Sequence, residues 1–456
     1  MLMLVNVVVR CHEIERGFRK KVYICDMKLW VLLFLLFLLL GCAYVFWHVW
    51  RILPLAAVWK SVVLALMAMC FALFIGNFII GLDRFPLPLA RVMYNVGNST
   101  LFILLYLFML FLVLDIASIA VHILHISLPV SSLPFREGQG VGLKNSLGGT
   151  LTVLGIMLAF FVYGNINYRH KVRVPMEIDT KGRVTRPLKL VLMSDLHLGY
   201  HNTRRDFAKW VDKVNAEKPD LVLIAGDIID FSIRPLLEEN VAEEFHRLQA
   251  PVYACLGNHE FYRGVQLAQQ FYKNAGIHLL RDSVVTLPDY GNLTIIGRDD
   301  RMNRGRKEIT SLTPYPSPKG EGGFDTPSVA EANQTPLPLG DWGLQSSHTG
   351  GCGPTKGSKS PFATEGSVGG GFCLLLDHQP YHLDQTAEAG IDFQFSGHTH
   401  YGQVWPISWI EDAIYECAYG PLTKGNTQIY VTSGIGIWGG KFRIGTQSEY
   451  VVLTLK

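Results

Sequence analysis

Apolar residues follow two regimes along this chain. Up to about residue 167 they run almost unbroken, and after residue 185 they come in short bursts between amphipathic stretches. Four runs in the first part have the roughly 20 apolar residues that a bilayer-crossing helix needs: Leu29–Trp50, Ser61–Leu82, Ser99–Ile126 and Leu147–Asn167. A buried globular core explains one such run but not four. The first also exceeds the ~7–15-residue apolar core of a signal peptide.

Lys and Arg are unevenly placed around these runs. Residues 1–28, residues 169–189 and the loop holding Arg84 and Arg91 carry fifteen, whereas the other two loops carry four: Arg51, Lys60, Arg136 and Lys144. That bias predicts both termini in the cytoplasm, in agreement with an even number of spans. Trp47, Trp50 and Trp59 lie near span ends, as an aromatic belt requires. Asp115, in the third run, is expected near an interface or paired within the bundle, with His122 and His125 on its side of the helix. The other runs offer it no Asp, Glu, Lys or Arg, which argues against a transport path.

Beyond residue 185, Leu188–Met193, Leu221–Ala225, Val252–Leu256, Leu293–Ile296, Phe372–Leu376 and Phe393–Phe395 have the length and composition of buried strands. Arg204–Ala216, Pro235–Leu248 and Val265–Ala275 carry apolar residues at helical spacing. The alternation predicts helices layered outside a sheet. Ile429–Thr432 and Tyr450–Leu455, around a Gly-rich loop Ser433–Thr446, suggest a second sheet. Residues 311–371 break the pattern, with 35 of 61 residues Gly, Pro, Ser or Thr. Such a stretch buries too little surface to offset its ordering entropy, so it is expected to be a disordered surface insertion.

Composition adds little. Of 456 residues 49% are hydrophobic and only 17% charged, the apolar excess lying in the first third. A net charge of +3 does not point to nucleic acid. The eight cysteines show neither zinc-finger spacing nor a disulfide framework.

Five blocks carry the chemistry: Asp195-Leu196-His197, Gly226-Asp227-Ile228-Ile229-Asp230, Gly257-Asn258-His259-Glu260, Asp377-His378 and Gly397-His398-Thr399-His400. Each follows a short apolar run, and ligands in α/β sheets gather beyond the carboxyl ends of strands. Together they read as one dinuclear metal site. Mixed carboxylate and imidazole donors suit two divalent ions of Mn, Fe, Zn or Co better than Ca or Mg.

In order and residue type, D-x-H, G-D-x-x-D, G-N-H-E, H and G-H-x-H, the blocks resemble the calcineurin-like metallophosphoesterases over about 185–310 and 372–456. Ser194–Gly199, Gly297–Asp300 and Leu376–Pro380 look like that superfamily's membrane-associated YkuE/YaeI-type branch. The resemblance implies a four-layer αββα sandwich of two packed mixed sheets after a four-helix transmembrane region. It also implies that Asp195, His197, Asp227 and His400 hold a first metal, and that Asp227, Asn258, His378 and His398 hold a second, with Asp227 bridging. His259 would serve the leaving group as proton donor. Asp230, Glu260 and Asp377 would orient ligands, while Tyr200, His201, Arg263, His382 and Trp438 are weaker candidates for the substrate cleft.

The expected organisation is therefore a basic cytoplasmic segment 1–28, a membrane region 29–167, a linker 168–184 and a phosphoesterase domain 185–456 interrupted by 311–371. The expected function is hydrolysis of a phosphomonoester, phosphodiester or pyrophosphate by metal-activated hydroxide. The substrate would be lipid-linked, and the enzyme would be a multi-pass protein of the cell (inner) membrane whose domain faces the cytoplasm. The alternative is a membrane sensor or scaffold that uses the same fold for binding rather than turnover.

Overall fold

A computed structural model of the chain describes residues 18–124, 144–313 and 371–456. Residues 1–17 of the basic segment, His125, and residues 314–370 of the expected insertion lie outside the described residues. The chain divides into two compact units, Met1–Ile166 with Gly439–Phe442, and Asn167–Trp438 with Arg443–Lys456.

The first unit contains helices α1 (Phe18–Ile52), α2 (Ala57–Ile79), α3 (Leu87–Ile123) and α4 (Leu147–Arg169). By length and composition α2, α3 and α4 are long and apolar enough to cross a membrane, and α1 contributes the apolar stretch Leu36–Ile52 among the described residues. Helix α3 begins well before the expected Ser99. Its first turns hold Pro88, Arg91 and Asn95, which hydropathy discounts, but proline suits a helix start. Gly97 lets α2 and α3 approach closely, since a Cβ there would lie 2.8 Å from the Phe74 backbone nitrogen.

Asp115 is paired within this unit. Tyr44 Oη donates to its carboxylate at 2.6 Å and His48 Nε2 lies 3.0 Å from the same oxygen. The sequence expectation looked to His122 and His125 on the same helix and to charged residues elsewhere, and so did not single out Tyr44 or His48. Phe442, from the chain's last loop, belongs to this unit too and packs edge-on against Phe161 of α4.

The second unit is built on two six-stranded mixed sheets. The first runs β1 (Lys171–Ile178), β12 (Ser448–Leu455), β2 (Leu188–Met193), β3 (Leu221–Ala225), β4 (Val252–Cys255) and β5 (His278–Leu279). The second runs β10 (Gly420–Lys424), β11 (Thr427–Val431), β9 (Phe393–Ser396), β8 (Cys373–Leu376), β7 (Leu293–Gly297) and β6 (Ser283–Leu287). Strands β2 to β5 are parallel in the first sheet and β7, β8, β9 and β11 in the second.

The side-chain period of two sorts these strands into layers. Leu190, Leu192 and Leu223 of the first sheet meet Ile295, Leu374, Leu376, Phe393 and Phe395 of the second in one buried cluster. Their alternates, Val191, Met193, Val222 and Ile224, pack outward on Phe207, Trp210, Val211 and Val214 of helix α5 (Arg204–Ala216). On the far side Ile296, Cys373 and Leu375 pack on Ile309, Leu312, Ala389 and Ile391. Two sheets with helical cover outside each make the expected four layers.

Three local expectations need correction. Residues 168–184 are not a plain linker, because β1 pairs in parallel with β12 along its whole length. The two tail strands lie in different sheets, β11 in the second and β12 between β1 and β2 in the first. The helix expected over Pro235–Leu248 is two short ones, Arg234–Glu238 and Ala242–His246. Asn240, at φ 51°, turns the chain between them.

Candidate metal centre

The five blocks leave the sheets at corresponding strand ends. Asp195 and His197 follow β2, Asp227 follows β3, Asn258 opens the helix after β4, His378 follows β8, and His398 and His400 follow β9. Turning these side chains into one space takes unusual backbone: Asp195, His197, Asp227, His398 and His400 all have positive φ, between 44° and 75°. Asp, Asn and His tolerate this left-handed region better than most residues, at a cost on the order of 1 kcal/mol or more each. Gly226, just before Asp227, must be glycine, since a Cβ there would lie 2.7 Å from the Gly257 nitrogen and 2.9 Å from His378 Cγ.

The donors converge in two groups. In one, His197 Nε2 and His400 Nε2 are 3.0 Å apart, with Asp195 Oδ1 at 3.7 and 3.5 Å from them. In the other, His378 Nε2 lies 3.1 Å from Asp227 Oδ2 and 3.1 Å from Asn258 Oδ1, and His398 completes the cluster. Asp227 Oδ2 is also 3.7 Å from His197 Nε2, so this one oxygen borders both groups. Asp195, His197, Asp227 and His378 are at most 2% exposed. Imidazole nitrogens packed this closely against carboxylates in a dry site are the separation expected of ligands sharing a cation at about 2.1 Å. The donor set therefore fits divalent ions.

Around this core, several of the donor side chains are oriented by neighbours. Asp230 Oδ1 is 3.3 Å from His197 Nδ1, which leaves the opposite nitrogen for the centre. His378 Nδ1 lies 2.7 Å from the Ala225 carbonyl and is fixed the same way. Asn258 Nδ2 donates to Tyr262 Oη at 3.2 Å, aiming its oxygen at His378. The His398 N–H donates to both Asp195 oxygens at 3.2 and 3.1 Å. Asp230, His197 and His259 form a further cluster of metal-ligand type, but it shares His197 and reads as the orienting layer.

Electrostatics agree with a polarised centre. Burial alone would raise Asp227, yet the His378 and His259 imidazoles outweigh it and hold the carboxyl well below the usual range. Burial likewise works against His197, but Asp195 and Asp230 push it up to about 10. His398 is driven down to about 3 by burial and by neighbouring His378. Imidazoles here are thus split between proton-rich and proton-poor forms, and a proton on His197 Nε2 must leave before a cation can bind there, while the one on Nδ1 stays facing Asp230.

His259 is 8% exposed, with Nδ1 3.1 Å from the Asp230 carbonyl and its backbone N–H donating to Asp227 Oδ1 at 2.9 Å. Of the weaker cleft candidates, Tyr200 and His201 are buried at 1% exposure, and His201 Nε2 binds the Ile437 carbonyl at 2.5 Å. Both belong to the packing beneath the centre. Trp438 is half-buried and His382 is exposed.

Sequence reasoning missed Arg443. Its fully buried guanidinium donates to the carbonyls of His400 at 2.5 Å, Gly436 at 3.1 Å and Gly434 at 3.4 Å, tying the Gly-rich loop to a donor residue. A lone Arg in a Gly-rich loop carries no sequence signal of that role.

Residues 188–402 match the calcineurin-like phosphoesterase family. The chain is 28% identical to an uncharacterized metallophosphoesterase of Helicobacter pylori, over 72% of this chain and 75% of that one. It is 26% identical to a Danio rerio transmembrane protein with metallophosphoesterase domain, over 70% of this chain and 66% of that one. It is 28% identical to the uncharacterized metallophosphoesterase YkuE of Bacillus subtilis, over 59% of this chain and 79% of that one.

Proposed function

We propose, from the premise that the globular domain belongs to the calcineurin-like phosphoesterases, that this chain is a membrane-anchored phosphoesterase with a dinuclear metal centre. The domain is that of a metal-dependent phosphoric ester hydrolase. Apolar helices precede it here, and two relatives are described as transmembrane proteins with a metallophosphoesterase domain.

In this reading one divalent ion is held by Asp195, His197, Asp227 and His400, and the other by Asp227, Asn258, His378 and His398. The observation that carries it is the Asp227 carboxylate, whose Oδ2 lies 3.1 Å from His378 Nε2 and 3.7 Å from His197 Nε2. A single carboxylate oxygen facing both groups is what a bridge requires. Mn, Fe, Zn or Co suit the donors. When bound, such a pair supplies an activated water and neutralises phosphoryl charge.

The protein's own groups do the rest. Asp230 and the Ala225 carbonyl hold His197 and His378 with Nε2 facing inward. With Nδ1–H donating to the Asp230 carbonyl, His259 keeps its Nε2 for the leaving group and, as the imidazolium, would give up its Nε2 proton there; burial works against that form, and the Asp227 and Asp230 charges favour it. The membrane region supports a lipid-linked phosphate substrate, and the excess of Lys and Arg supports a cytoplasmic domain at the cell (inner) membrane.

The test is metal content of the purified full chain, measured alongside hydrolysis of bis(p-nitrophenyl) phosphate before and after chelation. Two equivalents, with activity lost on chelation and restored by metal, is the expected result. Full activity at one equivalent would refute the dinuclear centre, and a metal-loaded chain inert on phosphoesters would favour the scaffold alternative.

A further inference from the structure

Beside the centre, at the end of the second sheet, lies a cluster of arginines that the reading above leaves without a task. Gly297, the last residue of β7, pairs with Leu376, two residues before His378, and the Arg298 N–H donates to the Leu376 carbonyl at 3.0 Å. Arg298 Nη1 then donates to Asp377 Oδ2 at 3.2 Å, and Arg306 Nη2 donates to the same oxygen. Arg301 lies over the Tyr381 ring at 4.3 Å, with Nη2 3.3 Å from His382 Nε2.

These guanidiniums are not satisfied. Among the described residues, Arg298 Nε, Arg301 Nη1, and Arg306 Nε and Nη1 are buried without a hydrogen-bond partner, and Arg298 is only 8% exposed. Buried polar groups are nearly always paired, so four orphan donors in one cluster call for an acceptor.

Nearby carboxylates do not meet that need. Asp300 accepts both hydrogen bonds from the Gln379 amide, Asp299 binds Arg281 at 2.6 Å, and Asp282 accepts backbone N–H groups of Asp299 and Lys307. Asp282 and Glu308 also face Arg298 electrostatically, yet neither closes a hydrogen bond with it among the described residues.

The cluster reaches the centre through aromatic rings. Tyr381 lies 4.9 Å from the Tyr415 ring, which in turn lies 6.3 Å from the ring of His398.

We propose that Arg298, Arg301 and Arg306 form a second anion site flanking the metal centre, which takes the non-reacting phosphate of a diphosphate-containing substrate. The proposal rests on the phosphoesterase reading and narrows its substrate class. Guanidinium forks match phosphate oxygens bidentately and stay charged when partly buried. A phosphate supplies acceptors of the kind these donors lack and offsets like charges that the fold holds together. A mononucleotide-type diester, with one phosphate, fills the metal centre and leaves the arginines unmet.

The experiment compares the metal-loaded full chain on UDP-glucose, a diphosphate diester, and on bis(p-nitrophenyl) phosphate. The expected result is that Arg301→Gln lowers the ratio of kcat/KM on the first probe to that on the second by about tenfold or more, mainly through KM. The exposed Arg304→Gln, in the same loop, should keep the wild-type ratio. Equal losses on both probes in Arg301→Gln and Arg306→Gln, or no loss, would overturn the anion site and leave the arginines a structural role. Binding of methylenediphosphonate to the metal-loaded chain reads the site without turnover. An affinity unchanged by Arg301→Gln overturns the proposal even if the wild type hydrolyses neither probe, an outcome that would separately count against the phosphoesterase reading.

Discussion

Glu260 is tied to the backbone of Asp227, with Oε2 accepting the Asp227 N–H at 3.1 Å. The same carboxylate accepts from Gly257 at 2.8 Å and from Ile229 at 3.0 Å, so it joins the loops after β3 and β4 that carry Asp227 and the Asn258-His259 pair. Burial and the nearby Asp227 charge raise its pKa to about 7. Glu260→Gln should turn an amide NH₂ toward backbone donors and cost about 1–3 kcal/mol. Thermal unfolding checks the loss of stability, and metal titration should show weaker binding. Unchanged values in both would mean that the tie is dispensable.

Asp227→Asn should leave the domain folded and abolish phosphodiester hydrolysis. Asparagine keeps the size and tolerates the φ of 51° that this position demands, but it removes the charge that both donor groups share. Circular dichroism, metal content and rate, taken together, test this. Wild-type turnover in a metal-depleted variant would defeat the dinuclear mechanism.

His259→Ala should retain metal and lose rate by about 10²–10⁴, the range for loss of a general acid. The loss should shrink on esters with very good leaving groups, which need no proton. An equal loss across leaving groups would assign His259 an orienting role through its N–H to Asp227.

Residues 314–370 should be replaceable by a short Gly-Ser linker with little effect on kcat or KM, because loop-closure entropy changes by only about 0.6 kcal/mol per doubling of length. The cut must spare Ile309 and Leu312, which pack under the second sheet at 1% and 6% exposure. A large rise in KM with metal content unchanged would make the segment part of the substrate site.

Protease added outside intact spheroplasts should spare the domain, as the placement of Lys and Arg predicts. Cleavage between residues 314 and 370 from outside would reverse the assignment.

Much of the domain was legible because its parallel strands are buried on both faces and read as unbroken apolar runs ending in ligand blocks. Elements without that signature were missed. Strand β1 alternates buried or half-buried with exposed positions and carries Lys171, Arg173 and Pro175, so it passed for a linker; a fragment starting at residue 185 would leave β12 without that neighbour. Strands β6 and β10 are edges of their sheet and lack buried runs. At the site, donors were visible because carboxylates and imidazoles after strands are conspicuous. Arg298, Arg301 and Arg306 were not, since arginine in a loop is ordinarily a solvated surface residue, and only the convergence of Arg298 and Arg306 on Asp377, with Arg301 over the Tyr381 ring, shows otherwise.

Five residues of the centre sit in left-handed backbone, and the side chains that accept that conformation most readily, Asp, Asn and His, are also those that bind divalent ions. Selection for the bend and selection for the ligand therefore coincide. A mutational step that discards a donor at Asp195, His197, Asp227, His398 or His400 also lands, as a rule, on a side chain the turn disfavours. Exchange among those three residue types is the narrow corridor open to drift. A lineage that abandons catalysis should keep the vocabulary of its ligands long after it has lost the use for them.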